Sequence, residues 1–258
     1  MSAACRPCFL GILGGMGPLA GAAFALRLAA LTPADVDQQH IPALLLNDPR
    51  IPDRSRARLG LGDDPLPFML AGLAQLEAAG VQCIVIPCNT AHLWYAQLRT
   101  RCAVPVLHIV EAVADDLVRN GLRGGKIGLM GTAATLELGL YQDVLNQRGY
   151  ECIVPSTEEV ALLCGEAIAA VKGNQVERAF APAAACVERL AQRGAQAVIL
   201  GCTELPLALP YALRQGLSVP VTDSIDALAL AAITRFSQCS ETSPEWATRW
   251  TTPAALTV

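Results

Sequence analysis

Two cysteines in this chain stand at the same point of two similar stretches. Leu76–Thr90 reads LEAAGVQCIVIPCNT and Leu190–Glu204 reads LAQRGAQAVILGCTE. Leu76 aligns with Leu190, Gly80 with Gly194, Gln82 with Gln196 and Cys88 with Cys202, at a constant offset of 114 positions. Each stretch reads as a helix end, a glycine C-cap, a short apolar strand, and then a cysteine followed by small polar residues. In open parallel sheets ligands collect beyond the carboxyl ends of the strands, which is where both thiols fall. Each cysteine also precedes residues able to start a helix (Asn89-Thr90 and Thr203-Glu204). Backbone N–H groups at such a start stabilise a thiolate or bind a carboxylate. One cysteine in an apolar run is ordinarily a packing residue. Duplication at the functional end of a strand points instead to two thiols facing one cleft. That arrangement suits removal of a proton from one side of a carbon atom and return of one to the other.

Other groups able to do chemistry are few. Gly11-Ile-Leu-Gly-Gly-Met-Gly17-Pro18 follows the first apolar run. From Gly15 to Ala20 it matches the loose dinucleotide pattern G-x-G-x-x-A. A nicotinamide enzyme wants an acidic residue about 20 positions on, and here the second strand ends too far along, at Asn47-Asp48. Pro18 fits the first turn of a helix. The loop therefore brings backbone N–H groups near an anion, a small carboxylate as readily as a phosphate. Arg54, in Ile51-Pro-Asp-Arg54, carries a fork of donors suited to a carboxylate; from this segment alone, a plain surface arginine fits equally well. The only lysines are Lys126 and Lys172. Lys126 opens a strand at the wrong end of the sheet, whereas Lys172 follows the helical pattern Glu159–Val171 and can reach a cleft. Neither makes a well-supported Schiff-base residue for pyridoxal phosphate. The three histidines, His40, His92 and His108, form no metal-ligand cluster in the sequence. His92 reads as a capping or helix-surface residue rather than half of a Cys–His dyad. His108 aligns with Asp223 in a second echo, Val104-Pro-Val-Leu-His108 against Val219-Pro-Val-Thr-Asp223. The echo places it in the lining of the cleft.

The elements that position these groups alternate along the chain. Strands are expected at Phe9–Leu13, Ala43–Leu46, Cys83–Ile86, Val106–Leu107, Lys126–Met130, Glu151–Val154, Val198–Leu200 and Val219–Val221, with helical patterns between most of them. This is βαβ alternation, which implies parallel sheets flanked by helices. Duplication implies two such sheets in two pseudo-symmetric α/β domains with the active site in the cleft between them. The expected division is residues 1–108 plus 217–258 for the first domain, its C-terminal segment packing back on it, and 109–216 for the second. Ser237–Val258, rich in Thr, Ser and Pro, reads as frayed or linker-like.

Composition excludes several classes. At 258 residues and 53% apolar, the chain can bury a large core. Net charge is −4 with no basic run, which argues against nucleic acid. Pro7–Leu26 lacks charge but is broken by glycines and Pro18, so it reads as strand, loop and helix start rather than a membrane span or signal peptide. Of ten cysteines, Cys83, Cys152, Cys164 and Cys186 lie in apolar segments, as buried thiols of a reducing cytoplasm do. Cys5-Arg-Pro-Cys8 is a lone C-x-x-C without a second pair at zinc spacing.

Taken together, Gly11–Pro18 (GILGGMGP), Asn47–Arg54 (NDPRIPDR), Pro87–His92 (PCNTAH), Gly131-Thr132 and Gly201–Pro206 (GCTELP) resemble the aspartate/glutamate racemase family, its aspartate racemases most closely. The resemblance runs from about residue 9 to 236. It implies two pseudo-symmetric α/β domains, no cofactor, no metal, a homodimer, a cytoplasmic enzyme and a small acidic amino acid as substrate. It further implies that Cys88 and Cys202 are the acid/base pair of an isomerase interconverting L- and D-aspartate, or glutamate. Met16, Gly17, Pro18, Asn89, Thr90, Ala91, Thr203 and Glu204 match positions around the substrate, Arg54 the position reading its side-chain carboxylate, and Lys172 a cleft lysine. Relatives with other substrates vary around Arg54 and sometimes lack the first cysteine; this chain keeps both. The alternatives are a cysteine-dependent lyase or isomerase of the same fold (arylmalonate decarboxylase-like or maleate isomerase-like) and a non-catalytic binder of acidic amino acids. A dinucleotide oxidoreductase would rest on the glycine loop alone.

Overall fold

The computed structural model describes residues 9–242 of the 258-residue chain. The first parallel sheet has the order β2-β1-β3, from β1 (Phe9–Gly14), β2 (Ala43–Asn47) and β3 (Val81–Val85). Val106 adds a single parallel bridge to Ile84 at its edge. The second has the order β5-β4-β6-β7, from β4 (Gly125–Met130), β5 (Tyr150–Ile153), β6 (Ala197–Leu200) and β7 (Val221–Asp223), again parallel throughout.

Helices join the strands as crossover connections. The first unit carries α1 (Pro18–Leu31), the short α2 (Arg54–Arg58), α3 (Leu66–Ala78), and a 3-10 turn (Thr90–Trp94) leading into α4 (Tyr95–Arg101). Next comes α5 (Ile109–Arg119), then α6 (Ala133–Glu137) and α7 (Gln142–Gln147) beside the second sheet. A continuous rod follows: α8 (Thr157–Glu159), a π-helical stretch (Val160–Gly165) and α9 (Glu166–Lys172). The set is completed by α10 (Phe180–Gln192), α11 (Leu205–Ala208), α12 (Tyr211–Arg214) and α13 (Ser224–Thr242). The duplicated helix ends stop at Gly80 (φ 84°) and Gly194 (φ 91°), left-handed positions one residue past the C-caps Ala79 and Arg193 that favour glycine.

Strand alternation divides the interior into three apolar clusters. Leu10 and Ile12 of β1 and Cys83 and Val85 of β3 face inward, as do Ile127 and Leu129 of β4 and Ala197 and Ile199 of β6. These inner faces share one core with Phe24 and Leu28 of α1, Ile109, Val113 and Leu117 of α5, and Leu228 and Phe236 of α13. On the outer faces, Leu13, Ile84 and Ile86 pack with α3 and α4, and Val198 and Leu200 pack with α9 and α10. Full burial of such side chains stabilises by about 1.5–3 kcal/mol each, so the shared core fixes how the two sheets face one another.

Three expectations need correction. The segment after residue 216 does not sit on the first unit as a whole. Its strand β7 extends the second sheet beside β6, while α13 returns to α1 through a two-pronged pair from Arg27 to Asp226 (2.6 and 2.9 Å). The reason lies in the echo itself. Val106 stands beside β3 as Val221 stands beside β6, so each copy completes its own sheet. Ser237 does not begin a frayed tail, because α13 runs on to Thr242; residues 243–258 lie outside the described residues, as does Cys5-Arg-Pro-Cys8. Finally, Cys152 is half-buried rather than buried, although Cys83, Cys164 and Cys186 are buried as expected, and these four are free thiols, as are Cys88, Cys102 and Cys202. Pro7–Leu26, from Phe9 on, forms β1, the loop and the start of α1, and no helix among the described residues is long and apolar enough to cross a membrane.

Candidate functional site

Cys88 and Cys202 follow β3 and β6 at their carboxyl ends and open into one small recess. Its lining draws on both units: Met16, Asp53, Arg54, Ser55, Cys88, Asn89 and Thr90 from the first, and Thr132, Lys172, Cys202, Thr203 and Glu204 from the second. Each thiol is only 5% exposed, so a substrate reaching both would be largely withdrawn from water. Gly17 and Pro18 line an adjoining outer cavity with Arg54, Lys172 and Glu204. Ala91 is fully buried within the 3-10 turn and lies outside the recess lining.

The glycine loop approaches the site because glycine alone fits it. Gly15 has φ 90°, and a Cβ there would stand 2.0 Å from the Asp48 carbonyl oxygen. The loop thus packs on the end of β2, and Gly17 turns its N–H toward the other unit. The acceptor it meets is internal: Gly17 N–H donates to Glu204 Oε1 (3.2 Å). Glu204 Oε2 accepts from the Cys202 thiol (3.0 Å) and from the Thr203 hydroxyl (3.5 Å). Burial pushes the Cys202 thiol well above its usual range, and the adjacent Glu204 carboxylate pushes the same way, while the Glu204 N–H and Lys172 oppose it. Lys172 stands 3.6 Å from Asp53 Oδ2, across the mouth of the recess. Burial alone would lower its ammonium; Glu204, Cys202 and Asp53 outweigh that and raise it.

Cys88 sits in a different setting. Its carbonyl contacts His92 Nδ1 at 2.9 Å, and the Ile109 N–H donates to His92 Nε2 (3.2 Å). Because Nε2 accepts, the ring proton belongs on Nδ1 and is donated to Cys88. His92 is buried, not on a helix surface, and it bonds the main chain of Cys88 rather than its sulfur. Burial, aided by nearby His108, lowers it to about 3. His108 lies outside the recess lining: its Nδ1 caps α5 by accepting the Val110 N–H (3.2 Å). Asp223 caps α13 the same way, accepting the Ile225 and Asp226 N–H groups (2.8 and 3.2 Å). The shared role explains why these two positions align.

Arg54 reaches the recess, but main chain already occupies most of its fork. Nη1 donates to the Ile51 and Pro52 carbonyls (3.1 and 2.9 Å), and Nη2 donates to the Met16 carbonyl (2.9 Å). Nε is buried without a partner. Arg54 is therefore a buried tie between the Ile51 turn and the glycine loop, not a surface arginine.

Several partners of the expected site residues were not singled out from sequence. Asp53 caps α2 by accepting the Arg56 N–H (2.9 Å) and pairs with Lys172. Thr90, Thr132 and Thr135 form a triangle of hydroxyls 2.9–3.0 Å apart that spans the two units. Tyr141 donates to Asn89 Oδ1, and Asn89 Nδ2 donates to Ser224 Oγ (3.0 Å), which fixes the amide orientation. Asp53 just before α2 and Thr132 just after β4 offered cap signals; Tyr141 and Ser224 are distant in sequence and offered none. Among the described residues no group of three His, Cys, Asp or Glu side chains is placed to hold a metal ion.

Residues 13–232 match the family model described as Asp/Glu/hydantoin racemase. The chain belongs to this family. It is similar to the broad-specificity amino-acid racemase RacX of Bacillus subtilis, 28% identical over 234 residues that cover 88% of this chain and 97% of that protein. It is 31% identical over 190 residues to the glutamate racemase of Aquifex pyrophilus, covering 69% of each. Among solved structures, Picrophilus torridus aspartate racemase superposes with a TM-score of 0.79 at 30% identity, covering 90% of this chain and 94% of that one. The two-sheet, pseudo-symmetric α/β fold is that of these racemases.

Proposed function

We propose that this protein is a cofactor-independent amino-acid racemase that interconverts the L- and D-forms of aspartate or glutamate by proton transfer between Cys88 and Cys202. One observation carries the reading: thiols from equivalent strand ends of opposite units line a single recess. One cysteine, as thiolate, takes the α-proton; the other, as thiol, delivers its proton to the opposite face of the α-carbon. The bond from carbon to hydrogen broken on one side is replaced by one on the other, and the two sulfurs exchange protonation states. An α-proton is far too weakly acidic for an ordinary thiolate with a pKa near 8.5, so charge developing on the substrate carboxylate needs stabilising. Lys172, the two open N–H positions of Arg54 and the threonine hydroxyls face that task.

A wider substrate range is the second reading. Arg54's contacts with three carbonyls leave it less able to demand a side-chain carboxylate, and one full-length relative is a broad-specificity racemase. Purified protein without additives, incubated in D₂O with L-aspartate, L-glutamate and L-alanine, distinguishes the cases by α-deuteration and chirality. The proposal expects aspartate to gain α-deuterium and lose optical purity. Comparable turnover of all three would favour the wider range. No exchange at any of them would leave the binding-protein alternative, and activity removed by dialysis and restored by pyridoxal phosphate or a divalent metal would overturn cofactor independence.

A further inference from the structure

The two cysteines hold equivalent places but not equivalent partners. Cys202 Sγ donates to a carboxylate, Glu204 Oε2, at 3.0 Å. That carboxylate is itself buried, 3% exposed, and pinned from the opposite unit by the Gly17 N–H at 3.2 Å. The residue two places after Cys88 is Thr90, whose hydroxyl joins the threonine triangle instead. The buried Tyr141 phenol also faces Cys202, and burial and that neighbour hold it neutral; among the described residues Arg54 and Asp53 add charge to the lining of the recess.

We infer that Glu204 is a positioning residue that holds the proton on Cys202 in the resting enzyme, so that of the two sulfurs Cys88 is the one that starts as base. The inference rests on the two-cysteine reading above and assigns the starting roles within it. A carboxylate anchored by a backbone N–H and in contact with a thiol is stabilised when that thiol keeps its proton. A thiolate in the same place would set two negative charges side by side in a dry site. Of the two charge arrangements a thiol–thiolate pair can take, the structure therefore favours one. In turnover from rest, Cys88 gains the proton from the α-carbon and Cys202 gives its proton to the opposite face. A proton moved from Cys88 to Cys202 through solvent restores the resting state.

The test reads the thiols directly and needs no catalysis. Initial rates of iodoacetamide labelling are measured at each cysteine by peptide mass spectrometry across a pH series, in wild type and in Glu204→Gln. In wild type the labelling midpoint of Cys202 should lie above that of Cys88. Glu204→Gln can keep the Gly17 contact while removing the charge and offering Nε2–H to the sulfur. Its Cys202 midpoint should fall by a unit or more, about a tenfold faster reaction at neutral pH, with the Cys88 midpoint unmoved. A wild-type midpoint for Cys88 at or above that of Cys202 overturns the inference. So does a Cys202 in Glu204→Gln that labels no faster than in wild type, or an equal shift at both cysteines. Racemisation measured in parallel on the wild type reports separately on the proposed function.

Discussion

The loop after β3 and the loop after β6 are copies that have diverged at one informative position. In the first, Cys88-Asn89-Thr90 reaches across the cleft with a hydroxyl, to Thr132 (3.0 Å) in the loop that follows β4. In the second, Cys202-Thr203-Glu204 reaches across with a carboxylate, to Gly17 (3.2 Å) in the loop that follows β1. The same backbone position bridges to the same kind of loop of the opposite unit in both directions. Duplication has set where the thiols stand; divergence two residues later sets the electrostatics around each. The Cys88 side is braced by neutral groups, with His92 on its carbonyl and the Tyr141–Asn89–Ser224 chain behind it. The Cys202 side is braced by charge, with Glu204 on its sulfur and Lys172 close by.

Substitutions on the two sides should differ in size, and the largest effect belongs to the thiols. Cys88→Ala and Cys202→Ala should each abolish racemisation, since acid and base are both needed and each is worth about 10²–10⁴-fold. A chirality-detected assay checks this, and an active single variant would reduce the pair to one functional sulfur. Next comes Arg54, which ties the glycine loop to the Ile51 turn in the lining of the recess. Arg54→Ala removes three bonds from a charged donor and should cost on the order of 3 kcal/mol, read as a lower urea midpoint together with a raised KM for aspartate. Unchanged stability would mean the tie is not needed to hold the loop.

The Cys88 side carries its own pH signature. His92 is held at about 3, below its unfolded value of about 6.5. Between those values the unfolded chain binds a proton that the folded chain refuses, so stability falls as pH drops through 6.5. The loss at about pH 5 relative to neutral pH is roughly 2 kcal/mol from this residue. His92→Gln should flatten that part of the profile in urea unfolding, and a slope identical to wild type would contradict the buried neutral imidazole. The smallest effect is expected at Tyr141→Phe, which leaves Asn89 Oδ1 without its donor at a cost of about 1–3 kcal/mol. A several-fold fall in kcat with a nearly unchanged KM for aspartate would mark it as a residue that orients Asn89. A stability loss with kinetics intact would mark it as packing only.

Much of this architecture was legible in the sequence because both periodicities were strong. The apolar runs gave the strands within a few residues except Val106–Leu107, which makes only a single bridge at Val106, and the internal copy gave two sheets and two thiols on equivalent ends. What stayed hidden depended on contacts between distant segments. The echo of Val104–His108 in Val219–Asp223 reported a position at the edge of each sheet and a helix cap, not membership of one unit, and only pairing partners distinguish these. Arg54's chemistry type was readable, but not that the Ile51, Pro52 and Met16 carbonyls would fill its fork. Glu204 was legible as a site residue through the GCTELP motif, whereas its contacts with Gly17 and Cys202 required the two halves to be brought together.

The most direct test of the two-thiol account follows deuterium into L- and D-aspartate separately with Cys88→Ala and Cys202→Ala. A surviving thiolate can still abstract from its own face. The account predicts that neither variant racemises, that each exchanges the α-proton of one enantiomer only, and that the two variants choose opposite enantiomers. Exchange should be faster in Cys202→Ala, which retains the sulfur free of the Glu204 contact, than in Cys88→Ala. Racemisation by either variant, or residual exchange of the same handedness in both, would contradict it.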